Sequence, residues 1–126
     1  MVLLVDARLP VEIRPPHPGA TAGATPALDA DAETALLIEG EAAPLPGRAV
    51  AHFRPGTEGL HDAGCACCRP RAGVAMALSH LLISRARGEV PFFRRVLALP
   101  ATAAGEAAIR AALRGDPLLA ARYRPA

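Results

Sequence analysis

Hydrophobic positions along the chain change their period at about its midpoint. In "AGVAMALSHLLISRAR", Ala72 to Arg87, Val74, Ala77, Leu78, Leu81 and Leu82 recur on one face of a helix, and Gly88 ends the pattern. "RRVLAL", Arg94 to Leu99, is a short apolar run stopped by Pro100, the pattern of a buried strand. "GEAAIRAAL", Gly105 to Leu113, is again helical until Gly115. In "GDPLLAARYR" a further helix starts at once, with Asp116 as N-cap and Pro117 at the first helical position, where the missing N–H costs nothing.

The first half is less regular. Val2 to Val5, Ala35 to Glu39 and Arg48 to Phe53 are short strand candidates bounded by turn residues. Between them, Arg14 to Asp31 ("RPPHPGATAGATPALDAD") concentrates Pro, Gly, Ala and Thr without apolar periodicity and reads as a long loop. Strands and helices that alternate along the chain predict an α/β layered sheet with flanking helices. The length of 126 residues predicts one domain, residues 1–126. With only three Phe, one Tyr and no Trp, its core must be built from Ala, Leu and Val.

Charge excludes more than it suggests. The fourteen basic residues are all Arg, scattered rather than aligned, and the net charge is +2, so nothing points to nucleic acid. The apolar runs fall far short of the roughly 20 residues that span a bilayer. The start "MVLLVDARLP" has no basic n-region and no small-residue cleavage site. The expectation is a cytoplasmic chain with reduced thiols and no membrane partner.

All three cysteines lie in "GCACC", Gly64 to Cys68. Disulfides between adjacent cysteines, or across one residue, require strained geometry. Three thiolates converging from one turn instead suit three corners of a tetrahedral site for zinc or a related thiophilic ion such as cobalt or copper(I). Gly64 and Ala66 are small enough for the backbone to fold around an ion, and the helix that follows, with Arg69 and Arg71, favours thiolates. Cys65, Cys67 and Cys68 are therefore candidate metal ligands, as is His61, four residues before Cys65; Glu58 and Asp62 are oxygen alternatives. Reactive thiols, or a turn without a ligand, are the other readings of the cluster. His80 reads as a surface residue of its helix, and His17 and His52 have no neighbouring ligand in sequence. Ser79 and Ser84 both fall on that helix, so a Ser, His and Asp catalytic set has no support.

"GCACC" followed by an amphipathic helix, then "RARGEVPFFRRVLAL", then "DPLLAARYR", resembles the CobW-type metallochaperone GTPases, a branch of the P-loop GTPases. The likeness runs through residues 64–124, whereas residues 1–63 match poorly. Three motifs in the right order make it specific. The resemblance implies an incomplete P-loop-GTPase-like layered sheet, and it lays Arg8 to Gly23 over the family's opening strand and phosphate loop, with Pro10, Val11, Gly19 and Ala20 on matching positions. On that template Ala22 stands where the phosphate-binding Lys belongs and Gly23 where the magnesium-binding hydroxyl belongs; the chain has no Lys at all. The family's "ETTG" is here "LPAT", Leu99 to Thr102, with Leu in place of the acid. Family members continue past "AARYR" into another strand and a guanine-reading motif, and this sequence stops at Ala126. The expectation is a pseudo-GTPase without catalytic residues or bound nucleotide, whose partners are a metal ion and a client metalloprotein or a second copy of itself. A non-catalytic interaction module docking on a full-length relative, and a thiol redox or sulfur-transfer protein, are the alternatives.

Overall fold

The computed structural model describes residues 7–16, 33–40, 47–55 and 73–126. The described chain forms a five-stranded, wholly parallel sheet. In chain order the elements are β1 (Leu9–Ile13), β2 (Thr34–Glu39), β3 (Val50–Phe53), α1 (Gly73–Arg87), β4 (Arg95–Leu99), α2 (Ala103–Gly115), α3 (Pro117–Arg122) and β5 (Tyr123–Pro125). Across the sheet the order is β3-β2-β4-β1-β5. The expected α/β layered class holds.

Central strands of a parallel sheet are buried on both faces, which is why β2 reads TALLIE with every residue buried and β4 reads as one apolar run. One face meets all three helices. There Val11, Ala35, Leu37, Val96 and Ala98 from the strands pack with Val74, Leu78 and Leu81 of α1, Ile109 and Leu113 of α2, and Leu119 of α3. Leu36, Ile38 and Leu97 form a second apolar cluster of opposite strand parity, joined by Val50 and Leu99.

Helix ends follow the sequence signals closely. After α1, Gly88 takes φ +70, the Gly88 N–H donates to the Arg85 carbonyl at 3.2 Å, and the Glu89 N–H donates to the Ser84 carbonyl at 2.9 Å. This paired Schellman closure needs a left-handed residue, a role glycine fills without a Cβ penalty. Asp116 caps α3 as expected, its carboxylate accepting the N–H groups of Leu118 at 3.0 Å and Leu119 at 3.2 Å. α2 begins two residues earlier than the apolar pattern predicts, because the Thr102 hydroxyl accepts the Gly105 N–H at 3.0 Å and so sets the start at Ala103.

Two strands depart from the expectation. Leu9–Ile13 forms β1, at the position the family resemblance assigned to an opening strand; periodicity alone pointed to Val2 to Val5, which lies outside the described residues. The end of "DPLLAARYR" is not helical throughout. Tyr123 leaves α3 to start β5, which pairs Leu9 with Tyr123 and Val11 with Pro125 at the sheet edge. The cause is burial. The Tyr123 ring is 1% exposed, and its hydroxyl donates to the Leu78 carbonyl of α1 at 2.8 Å, a reach that a further helical turn would not give it. Of the predicted Arg14 to Asp31 loop, only Arg14 to Pro16 are described, and they carry no regular structure.

Candidate functional site

In an open parallel sheet, ligands bind outside the carboxyl ends of the strands where the strand order reverses. Here the chain leaves β1 for β2, on one side, and leaves β4 for β5, on the other, so the reversal lies between the adjacent strands β1 and β4. The β4 side of that crevice consists of Leu99, Pro100, Ala101 and the start of α2. This is where the resemblance places the family's acidic "ETTG" segment.

An acid is present there, but it comes from β2. Glu39, the last residue of β2, is 7% exposed. Its carboxylate accepts the backbone N–H of Ala101 at 2.9 Å and of Thr102 at 3.0 Å. The Thr102 hydroxyl also donates to it, 2.8 Å from Oε2 and 3.1 Å from Oε1. The negative group thus sits on the positive end of α2 and engages donors that a helix start otherwise offers to an anion. Gly105 makes the approach feasible, since a Cβ there would fall on the Glu39 carboxylate. Leu99 is half-buried and packs against the Leu36, Ile38 and Leu97 cluster, so the position of the family's acid belongs to an apolar layer.

Sequence reasoning read Glu39 only as a strand end, Thr102 only as the last residue of "LPAT" and Gly105 only as a helix start. A faint signal existed: a carboxylate closing an otherwise apolar central strand must find partners, and "ATAAG" offers a Thr N-cap with a glycine three residues on.

Of the thiol-site candidates, His61, Cys65, Cys67 and Cys68, with Glu58 and Asp62, all lie outside the described residues, as do His17, Ala22 and Gly23. Among the described residues no group of three or more His, Cys, Asp or Glu could hold a metal ion. The described chain does fix the ends of the thiol segment: residues 56–72 join β3 to α1, hence the carboxyl end of a strand to the start of a helix.

The two described histidines line one groove of about 400 Å³ between β3 and α1, but their side chains belong to different layers. Ala49 and Phe53 pack into the helix-covered core, whereas Val50 packs on the opposite cluster, and His52 has the parity of Val50. His52 Nδ1 lies 2.9 Å from the Gly40 carbonyl, which makes that nitrogen the N–H donor. His80 is exposed on α1, as the helical pattern predicts. Ser79 is buried in α1. Arg85 closes the same helix, its Nε donating to the Phe93 carbonyl at 2.9 Å while its guanidinium lies 4.4 Å from the centre of the Phe92 ring. Burial pushes the Tyr123 phenol well above its ordinary range, against the opposing effect of the Arg85 charge.

Comparison with family models, curated proteins and solved structures finds no match for the chain. No helix among the described residues is long and apolar enough to cross a membrane.

Proposed function

We propose that this chain is a small metal-binding protein related to the CobW-type metallochaperones, which binds zinc or a similar thiophilic ion through Cys65, Cys67, Cys68 and His61 and has no GTPase activity. The observation that carries the nucleotide-free half of this reading is the Glu39 carboxylate on the start of α2. Phosphoryl transfer depends on positioned cations and on donors free to meet phosphate oxygens. At the β4 side of this crevice the donors of Ala101 and Thr102 already serve an internal anion, and Leu99 supplies no ligand for magnesium.

The metal half rests on the thiols and their place in the chain. β3 ends at Phe53 and α1 begins at Gly73, so in sequence the thiols fall between the end of a strand and the start of a helix, the kind of connection in which α/β proteins carry their binding loops. Three thiolates there bind a borderline or soft cation, and His61 supplies a fourth corner within the same segment. Release of the His61 imidazole would open that corner to a small thiol or a client's side chain, the route by which such a site would pass its ion to another metalloprotein. Elemental analysis with native mass spectrometry of protein prepared under reducing conditions tests the reading. One bound zinc or related ion per chain supports it; a metal-free chain that takes up none on incubation with zinc contradicts it.

A further inference from the structure

We draw no further inference here: the strongest candidate, the apolar sheet face of Leu36, Ile38 and Leu97, of opposite strand parity to the helix-covered core, carries nothing because nothing among the described residues shows what covers it.

Discussion

The Thr102 hydroxyl and the Glu39 carboxylate are mutually committed: the hydroxyl donates to Glu39 at 2.8 Å while its oxygen accepts the Gly105 N–H at 3.0 Å. One threonine thus ties the end of β2 to the start of α2 and caps the helix. Replacing Glu39 by Ala leaves the Ala101 and Thr102 donors without their acceptor and is expected to cost about 1.5–3 kcal/mol, the range for hydrogen bonds to a charged group. Urea unfolding measures it. A cost under about 0.5 kcal/mol would place Glu39 among ordinary surface carboxylates.

Gly105→Ala tests the same contact from the other side. Helix propensity alone favours Ala over Gly by about 1 kcal/mol. The new Cβ would fall on the Glu39 carboxylate, so net destabilisation is expected. In a double-mutant cycle, Gly105→Ala should become neutral or stabilising when Glu39 is already Ala. Additive costs would show that the two residues do not meet.

Tyr123 gives a pH signature. Its folded-state pKa is raised by burial above the unfolded value of about 10, so the protonated phenol is favoured in the fold. The unfolded chain then binds fewer protons than the folded one as pH rises past about 10, and the stability this group contributes, complete below that pH, is progressively lost above it. The chain has one Tyr and no Trp, so phenolate absorbance isolates the group. Ionisation should coincide with unfolding. Tyr123→Phe removes the bond to Leu78 and should cost about 1 kcal/mol at neutral pH while abolishing the alkaline loss due to this residue.

The sequence was most legible where one local rule acted alone. α1, with apolar residues on a helical period and Gly88 at its end, and α3, with Asp116 and Pro117, were readable because their signals lie within one or two turns. β5 was hidden because nothing in "YRP" announces a strand; what draws Tyr123 out of the helix is Leu78, forty-five positions away. Glu39 was hidden for the same reason, its partners lying sixty-two and sixty-three positions downstream. β1 shows a clean alternation of Leu9, Val11 and Ile13, but Pro10 obscured it; at Pro10 the missing N–H is tolerable near the start of a strand.

GTP is expected neither to bind at micromolar concentration nor to be hydrolysed, with or without magnesium. The resemblance puts Ala22 and Gly23 at the positions of the lysine and the hydroxyl residue, and Glu39 holds the donors beside Leu99. Calorimetry decides it. Magnesium-dependent binding of GTP would contradict the pseudo-GTPase reading.

Cobalt uptake by the reduced chain tests the central proposal most directly, since tetrahedral thiolate coordination gives intense visible bands and sulfur-to-metal charge transfer. One equivalent of cobalt should produce both, zinc should displace it, and uptake should release protons and weaken steeply as pH falls. Each single Cys→Ala change at Cys65, Cys67 or Cys68 should cost orders of magnitude in affinity, and His61→Ala about 10- to 100-fold if its imidazole closes the site. A pale octahedral spectrum, or uptake unchanged when all three cysteines are replaced by Ala, would contradict the assignment of "GCACC" as a metal site.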